Sequence, residues 1–310
     1  MTQRALVTGG AGFIGSSVVR RLLDAGWRVG VFDDFSNGLP GNLAGLPVGI
    51  QHADIRDRAV IERACEGVDA VFHMAAVVGN VRSIEDPHRD AEVNMMGTVN
   101  VLHAAVRAKV PRLVYSSSAA CYGETGLEPI HETHMQEPAS PYGASKLAGE
   151  KHALAVGRLH PIIVVALRYF NAFGIRQRND AYGNVIPIFT HRALTGEPLV
   201  IYGDGEQTRD FVTVEDIAEA NMRAVLNARA TGVFNVGSGT PRSINTIASL
   251  CRELTGSSSA IVRAPARLGE VRNCTADIQS IRSQLGFQPS ADFAESLGQY
   301  VRWVKATTQP

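Results

Sequence analysis

Six continuous apolar runs alternate with segments of helical spacing along most of the chain. The runs read RALVTG, WRVGVFD, DAVFHMAA, PRLVYSSS, PIIVVALRYF and GVFNVGS, and unbroken apolar runs are typical of strands buried on both faces of a sheet. Between the first two runs, apolar side chains recur at helical spacing at Ile14, Val18 and Leu22. Strand and helix in alternation predict an α/β fold with a doubly wound parallel sheet.

The alternation stops after about residue 170, and the chain up to about residue 207 carries glycine and polar turn signals with little periodicity. This region predicts a smaller, loop-rich substrate domain. A helical pattern, TVEDIAEANMRAVLNA, and the last apolar run then return to the main sheet, so the smaller C-terminal substrate domain is interleaved with the larger one. We predict a dinucleotide-binding domain over residues 1–170 plus 208–240 and a substrate domain over residues 171–207 plus 241–310.

The composition excludes several classes of partner. The 30 Lys and Arg residues balance the 30 Asp and Glu residues, so no basic field favours a nucleic acid or a membrane surface. The four cysteines are far apart and form no C-x-x-C pair, which indicates neither a metal site nor a disulfide framework. The N-terminus passes straight into a strand without an apolar signal region. We therefore expect a soluble cytoplasmic protein.

The stretch VTGGAGFIG lies between the first strand and the first helix. Gly9, Gly12 and Gly15 at this position allow a tight turn. They also let the backbone approach a pyrophosphate at the start of the helix, beside Phe13 and Ile14. A glycine-rich turn that binds nothing has the same spacing, so the context of the loop decides between the two interpretations.

An acidic residue stands where a dinucleotide site needs one. Asp33 ends the second strand, near the distance from the glycine loop at which a carboxylate accepts a hydrogen bond from the adenosine ribose 2′-hydroxyl. Because a carboxylate repels a 2′-phosphate, Asp33 favours NAD over NADP. Asp34 and Asp54 are further candidates near the adenine, with a helix cap or a solvated loop as the alternative for either.

A tyrosine and a lysine in SPYGASK have the spacing of a catalytic pair. Tyr142 and Lys146 are four residues apart, which brings them onto one face of a helix. An ammonium beside a phenol favours the phenolate, so the pair predicts a base that works near neutral pH. Ser118 follows the strand RLVYSSS, at the carboxyl edge where doubly wound sheets bind ligands. Without the pair, an ordinary turn serine is the simpler interpretation of Ser118.

Ordered motifs over nearly the whole chain carry a family resemblance: TGGAGFIG, HMAA, NMMGT, SSSAACYG, PYGASK, LRYFNAFG, YGDGEQTRDFV, FNVGSG and RLGEVRNCTAD. The chain resembles the extended short-chain dehydrogenase/reductases and, within them, the nucleotide-sugar 4-epimerases of the UDP-glucose/UDP-galactose type. The resemblance implies a Rossmann fold, bound NAD and catalysis by Ser118, Tyr142 and Lys146. By position in the motifs, the implied NAD site consists of Gly9, Gly12, Phe13, Ile14, Gly15, Asp33, Asp34, Asp54, Ile55, Ala75, Ala76, Asn94, Ser116, Tyr142, Lys146 and Tyr169.

The same resemblance implies contacts to a nucleotide-diphosphate sugar. The residues that it assigns are Ser118, Tyr142, Asn171, Asn184, Arg209, Arg267, Glu270 and Cys274. Two arginines that converge on a diphosphate make physical sense, and surface salt bridges are the alternative for either one alone. In the family, a bulky tyrosine at the position of Cys274 excludes 2-acetamido sugars, so this cysteine implies that N-acetylhexosamine substrates fit. A cysteine that packs as a small hydrophobe is the alternative.

Two alanines after Ser118 narrow the implied reaction. The related 4,6-dehydratases carry an Asp-Glu pair at these positions, because elimination of water needs a dedicated acid and base, and the related decarboxylases carry a glutamate at the second. Here the residues are Ala119 and Ala120. The resemblance therefore implies 4-epimerisation, in which Tyr142 takes the proton of the sugar 4-hydroxyl with help from Ser118, and the C4 hydride passes to NAD and returns to the opposite face.

Other interpretations stay open from the sequence alone. A nucleotide-sugar 4-ketoreductase uses the same three residues with external NAD(P)H, and a non-catalytic dinucleotide-sensing regulator keeps the fold without the chemistry. Helical patterns around residues 88–108 and 140–157 indicate, by the same resemblance, the four-helix interface of a homodimer. The nucleotide itself is not identified, since the loops between residues 171 and 207 carry no readable code.

Overall fold

Twelve strands and eleven α-helices make up the part of the chain that the computed structural model describes, residues 2–124, 126, 129–179, 184–266, 272–290 and 292–308. The strands are β1 (Arg4–Thr8), β2 (Arg28–Asp33), β3 (Gly49–His52), β4 (Ala70–His73), β5 (Arg112–Ser118), β6 (Ile163–Tyr169), β7 (Asn171–Phe173), β8 (Leu199–Tyr202), β9 (Thr208–Thr213), β10 (Gly232–Val236), β11 (Pro241–Ser243) and β12 (Ile261–Ala264). The helices are α1 (Phe13–Asp24), α2 (Arg58–Ala64), α3 (Asn80–Glu85), α4 (Pro87–Ala91), α5 (Thr98–Arg107), α6 (Pro141–Leu159), α7 (Val185–Thr195), α8 (Val214–Leu226), α9 (Ile244–Thr255), α10 (Gln279–Leu285) and α11 (Phe293–Thr308). None of these helices is long and apolar enough, over its described residues, to span a bilayer.

The central sheet contains seven parallel strands in the order β10-β6-β5-β4-β1-β2-β3. The order reverses at β1, because the chain first adds β2 and β3 on one side and later adds β4 on the other. Open α/β sheets bind ligands in the crevice outside the carboxyl ends of the strands at such a switch point. The predicted doubly wound sheet is confirmed, and the crevice beside β1 and β4 is where a site is expected.

Helices cover both faces of the sheet, because its strands are apolar on both sides. Val7 of β1 lies in the same buried cluster as Val18 and Leu22 of α1, and α1 packs against α8. Leu6, the residue before Val7, belongs instead to the cluster on the other face, where α2 and α5 pack. Since neighbouring residues of β1 are buried on opposite faces, the strand reads as a continuous apolar run.

Two small sheets, in the order β11-β9-β7 and β12-β8, form the rest of the described structure together with α7, α9 and α11. Phe293 of α11 is in ring contact with Phe173 of β7 and Phe211 of β9. The loop-rich prediction for residues 171–207 is wrong in part, since β7, α7 and β8 lie there. The two strands have three and four residues, and α7 begins with the continuous apolar run VIPIF, so none of them produces a clear period.

The predicted domain division assigns residues 208–240 to the dinucleotide-binding domain. Within that range, β10 joins the seven-stranded sheet and α8 packs against α1, whereas β9 pairs with β7 and β11 of the small sheet. The structure thus interleaves the two sets of elements along the chain. The division into two domains stays a prediction.

Candidate active site

The glycine loop joins β1 to α1 at the switch point. Gly9 has a φ angle of +66°, and a Cβ atom there would lie 2.6 Å from the backbone nitrogen of Ala75. A Cβ atom on Gly15 would overlap the carbonyl oxygen of Gly9. Glycine at both positions therefore lets the loop fold tightly and pack against the backbone that follows β4.

The start of α1 suits an anion. Its N-cap residue, Gly12, has no side chain that could accept a hydrogen bond. The amides of the first turn, which include those of Phe13 and Ile14, therefore donate to no capping side chain. Free first-turn amides and the helix dipole attract phosphate groups. Glycine at positions 9 and 15 keeps the loop tight and free of side chains beside these amides. The residues present therefore fit the diphosphate of a dinucleotide.

Asp33 lies at the end of β2 beside this loop and is buried. Its Oδ2 atom accepts a hydrogen bond of 2.8 Å from the amide of Ala11, and its Oδ1 atom accepts one of 2.8 Å from the amide of Phe35. Burial raises the pKa of Asp33, and these two amide bonds oppose that rise. Each oxygen keeps lone pairs for a further donor such as a ribose hydroxyl.

The other acidic candidates near the adenine position differ from Asp33. Asp34 is exposed, and its Oδ1 atom accepts hydrogen bonds from the amide and the hydroxyl of Ser36. Asp54 pairs with the guanidinium of Arg56 at 2.7 Å, which lowers the pKa of Asp54. Ile55, the next residue, is buried. These side chains are engaged with their own neighbours, so a dinucleotide contact by Asp34 or Asp54 stays a prediction.

Asn94 orders the loop after β4, which carries Ala75 and Ala76. Asn94 lies in a π-helical turn, Glu92–Gly97, that joins α4 to α5, and such turns are frequent at functional sites. Its Oδ1 atom accepts from the amide of Val77 at 2.8 Å, and its Nδ2 atom donates to the carbonyl of Val77 at 2.9 Å. Asn94, a predicted cofactor residue, is thus buried, and its side chain positions the loop by bonding to the loop backbone.

A buried histidine ties the same loop to β1, and the sequence analysis did not single it out. The ring nitrogens of His73 lie 2.7 Å from the hydroxyl of Thr8 and 2.9 Å from that of Thr98. Burial lowers the pKa of His73 to about 3, so the ring is neutral and donates to one hydroxyl while accepting from the other. Only the strand order brings these residues together.

The three predicted catalytic residues meet at the carboxyl end of β5. The helix α6 begins at Pro141, with Ser140 as its cap, so Tyr142 and Lys146 lie one turn apart at its start. The Ser118 side chain lies within hydrogen-bonding reach of Tyr142 and lowers the pKa of Tyr142. The Nζ atom of Lys146 lies 4.6 Å from the ring centre of Tyr115.

Burial dominates the acid–base properties of this pair. It raises the pKa of Tyr142 to about 12 and lowers the pKa of Lys146 to about 8. The phenol is therefore protonated at neutral pH in this structure, which differs from the expected phenolate. The physical reason is that loss of water disfavours both charged forms, and this outweighs the hydrogen bond from Ser118.

Alanine occupies both positions after Ser118, in a 3-10 turn over Ala119–Cys121. Ala119 packs against the apolar cluster of the sheet. A buried carboxylate that the sequence analysis missed, Asp90 of α4, does lie near the pair, since its charge raises the pKa of Tyr142 and Lys146. The side chains of Asn94 and Ser145 hold Asp90. The groups that the arrangement provides at the site are therefore a hydroxyl, a phenol and an ammonium.

Tyr169, at the end of β6, and Ser116 of β5 complete the predicted cofactor site in neighbouring strands. The Tyr169 hydroxyl accepts a hydrogen bond of 2.8 Å from Asn221 and is also bonded to the side chain of Ser116. Burial raises the pKa of Tyr169. Both side chains are therefore neutral hydrogen-bonding groups at the carboxyl edge.

Four predicted substrate residues gather around β9. Asn171 of β7 donates to the carbonyl of Asp210 at 3.2 Å, and Asn184, the cap residue of α7, donates to the carbonyl of Ala172 at 3.4 Å. The amide of Asp210 donates to the carbonyl of Cys274 at 2.8 Å, which places Cys274 alongside β9 and its Arg209. The other two predicted substrate residues, Arg267 and Glu270, lie outside the described residues.

Comparisons with known proteins give this geometry a family context. A profile of the NAD dependent epimerase/dehydratase family matches residues 5–237. The UDP-glucose 4-epimerase of Mycolicibacterium smegmatis is 35% identical over 312 residues, which cover 99% of this chain and 100% of that protein.

Two solved structures are similar to the chain over nearly its whole length. One is a UDP-glucose 4-epimerase from Thermotoga maritima with UDP-glucose, with a TM-score of 0.93 and 35% identity, covering 99% of this chain and 100% of that one. The other is a UDP-N-acetylglucosamine 4-epimerase from Methanobrevibacter ruminantium in complex with UDP-N-acetylmuramic acid, with a TM-score of 0.95, 34% identity and the same coverage of both chains.

Proposed function

The chain belongs to the NAD dependent epimerase/dehydratase family, and on that premise we propose that it is an NAD-dependent epimerase that inverts C4 of a nucleotide-diphosphate hexose through a transient 4-keto sugar. The proposed substrates are UDP-glucose and UDP-galactose, together with their N-acetylhexosamine forms. The observation that carries the proposal is the placement of Ser118 beside Tyr142, one helical turn from Lys146, at the sheet edge that also holds the glycine loop.

We propose that the predicted cofactor residues hold NAD at the switch point. The glycine loop and the start of α1 receive the diphosphate, Asp33 receives the adenosine ribose, and Asn94 holds the backbone of the following loop at Val77. When bound, NAD supplies the acceptor and the later donor of the C4 hydride. The dominant contribution of the chain is to hold and orient the reacting groups.

Tyr142 moves the proton in this proposal. Its phenolate accepts the proton of the sugar 4-hydroxyl, and the phenol returns that proton once C4 has been inverted. Because burial holds the pKa of Tyr142 at about 12, the phenolate needs support from positive charge and hydrogen-bond donors. Ser118 gives a hydrogen bond, and Lys146 gives positive charge, since a pKa of about 8 leaves it mostly protonated at pH 7.

The site favours epimerisation over the other reactions of the family. Elimination of water needs a second acid–base pair, and alanine stands at both positions after Ser118, while Asp90 is held by Asn94 and Ser145. A 4-ketoreductase uses the same three residues, and its need for external NAD(P)H separates it experimentally. A non-catalytic regulator has no use for a buried lysine beside a tyrosine and a serine.

We propose that the substrate residues anchor the nucleotide diphosphate while the keto sugar turns over. Asn171, Asn184 and Arg209 gather around β7 and β9, and Arg267 and Glu270 are proposed from the family motif alone. Cys274 lies beside β9, near Asn171 and Arg209. This position supports its proposed role as a gate that admits 2-acetamido sugars. A Cys274→Tyr variant should lose turnover of UDP-N-acetylglucosamine but keep that of UDP-glucose. Undiminished turnover of the acetamido sugar by this variant would refute the gate.

We also propose that the protein is a homodimer through α5, α6 and the π-helical turn. Two large apolar side chains are exposed in these elements: Met96 of the turn, which is 50% exposed, and Leu159 of α6, which is 77% exposed. In the proposal the dimer covers both, since contiguous exposed apolar surface marks interaction sites. A cytoplasmic location is proposed as well, supported by the thiols of Cys65, Cys121 and Cys251, which form no disulfide and suit a reducing compartment.

The deciding experiment needs no added cofactor. The purified protein is denatured and the supernatant examined for NAD(H) by absorbance. The native protein is then incubated separately with UDP-glucose and with UDP-N-acetylglucosamine, and the configuration at C4 is followed by NMR. Bound NAD with interconversion at C4 is the expected result. Lack of bound NAD, together with release of a 4-keto sugar and NADH when NAD is added, would point to a ketoreductase acting in reverse, and bound NAD with no turnover of either sugar would contradict the proposed substrates.

A further inference from the structure

The helix α6 carries a third polar residue at the spacing of the catalytic pair. Tyr142, Lys146 and Glu150 are each four residues apart, so they share one face of the helix. Glu150 is fully buried, with no exposed area. A buried carboxylate needs a charged or hydrogen-bonding partner, and its partners come from two other elements.

Both carboxylate oxygens of Glu150 are engaged. Arg168 of β6 donates from Nε to Oε2 at 2.8 Å and from Nη2 to Oε1 at 2.6 Å. Ser117 of β5 donates its hydroxyl to Oε2 at 2.7 Å. This two-pronged arginine–carboxylate geometry constrains direction as well as distance. Glu150 therefore fixes α6 against both strands at once.

The partners of Glu150 are the chain neighbours of site residues. Ser117 lies between Ser116 and Ser118, and Arg168 precedes Tyr169. In a strand, neighbouring side chains point to opposite faces. The groups that face the site and the groups that bind Glu150 are thus presented by the same short stretches of β5 and β6.

Arg168 itself has little freedom to move. Its Nη1 atom donates to the hydroxyl of Tyr122 at 2.7 Å and to the carbonyl of Glu132 at 3.0 Å. The Tyr122 hydroxyl in turn donates to Asn235 of β10 at 2.6 Å. The anchor of α6 is therefore continuous with the seven-stranded sheet over three of its strands, β5, β6 and β10.

Stability alone does not account for such a pair. Removal of two charges from water opposes their attraction, and well-packed apolar residues of similar size often serve as well or better. What apolar residues do not provide is the directional set of hydrogen bonds that sets the rotation and height of α6. Catalysis depends on that setting, because a displacement of about 1 Å lowers a rate about a hundredfold.

We propose that Glu150, through Arg168 and Ser117, is a positioning residue that holds Tyr142 and Lys146 in register with Ser118. The inference rests on the proposed epimerase function. The charge of Glu150 also acts on Lys146. The other groups that face Lys146 are Asp90, Cys121, His73 and Tyr115. The test therefore uses a variant that removes both charges together and leaves the local net charge unchanged.

The test compares Glu150→Leu/Arg168→Met with the wild-type holoenzyme in kcat, KM, bound NAD and melting temperature. We expect a folded protein whose kcat is about 10- to 100-fold lower, with KM and bound NAD close to those of the wild type. Glu219→Gln is the control, because Glu219 of α8 also pairs with an arginine of another element, Arg21 of α1, away from the site. Its kcat should not change.

A folded double variant with wild-type kcat would overturn the proposal. If the double variant does not fold, Ser117→Ala decides, since it keeps both charges and removes one of the three bonds; a wild-type kcat there also overturns it. Hydrogen exchange of the amides from Tyr142 to Glu150 tests the positioning without reference to turnover. Faster exchange in the double variant supports it even if the wild-type protein shows no epimerase activity, and unchanged exchange refutes it.

Discussion

Burial determines the chemistry of single residues in this site. Lys146, His73 and Asp33 are buried and Tyr142 is partly buried, and in each case loss of water favours the neutral form. Hydrogen bonds to Tyr142 and Asp33 oppose this effect. The residue types were readable in the sequence, but the state in which each one is held depends on its surroundings.

Replacement of the proposed base should abolish most of the activity without affecting the fold. We expect Tyr142→Phe to lower kcat by about 10²- to 10⁴-fold, the usual contribution of a positioned acid or base, while NAD stays bound. Steady-state kinetics of UDP-glucose epimerisation measures the loss. Tyr300→Phe is the control, because the Tyr300 hydroxyl makes only a 3.3 Å bond to the carbonyl of Gln177. Equal activity of the two variants would contradict the assignment.

Lys146 should be a destabilising residue at neutral pH. Its pKa falls from 10.5 to about 8 on folding, so we expect Lys146→Met to be more stable than the wild type at pH 7 by about 3 kcal/mol. Between pH 8 and 10.5 the unfolded chain holds a proton that the native protein has released, so the wild type gains stability relative to the variant as pH rises. Urea unfolding at pH 7, 9 and 10 gives the difference, and a difference independent of pH would contradict this.

At the scale of elements, backbone contacts between loops and strand ends build the site. The glycine loop packs on the backbone after β4, and Asn94 holds that backbone from the π-helical turn. The interval from the loop to Asp33 and the four-residue spacing of Tyr142 and Lys146 are local, so the sequence revealed them. The contacts between the elements are not local and emerge only with the fold.

The glycine loop makes a sharp prediction at this scale. Gly15→Ala should release most of the bound NAD and lower stability by about 1–3 kcal/mol, because the added Cβ atom meets the carbonyl of Gly9 in a packed region. The absorbance of NAD(H) released on denaturation reports the loss. Gly49→Ala, at the amino end of β3 with no atom near the added carbon, should bind NAD as the wild type does. Full NAD content in Gly15→Ala would refute the role of the loop.

At the scale of the whole molecule, the proposed dinucleotide crevice and the helices α5 and α6 lie at different parts of the sheet. The crevice lies at the carboxyl ends of the strands, and α5 and α6 lie on one side of the sheet, where Leu159 of α6 is exposed. In the homodimer proposal, α6 both carries Tyr142 and Lys146 and contributes its exposed surface to the interface.

Charge placed on this face should separate the proposed dimer. Sedimentation equilibrium of the wild type should give twice the mass of one chain, and Met96→Glu should give the mass of one, since it puts a carboxylate into the apolar interface. Ile50→Glu is the control, because Ile50 is 49% exposed on β3, away from these helices. A monomeric wild type, or a dimeric Met96→Glu, would refute the proposed interface.

The sequence by itself determined the doubly wound sheet, the glycine loop with Asp33 and the pair of Tyr142 and Lys146. Each depends on period or spacing within a short stretch of chain, which the covalent order of residues sets directly. It did not reveal α7, which begins with the continuous apolar run VIPIF, or β8, which has four residues.

Only the tertiary structure decided which distant residues meet. The strand order brings Glu150 to Arg168 and Ser117, His73 to Thr8 and Thr98, and Asp90 into reach of Lys146. It also set the raised pKa of Tyr142, because burial depends on everything that packs around the phenol and not on its neighbours in sequence.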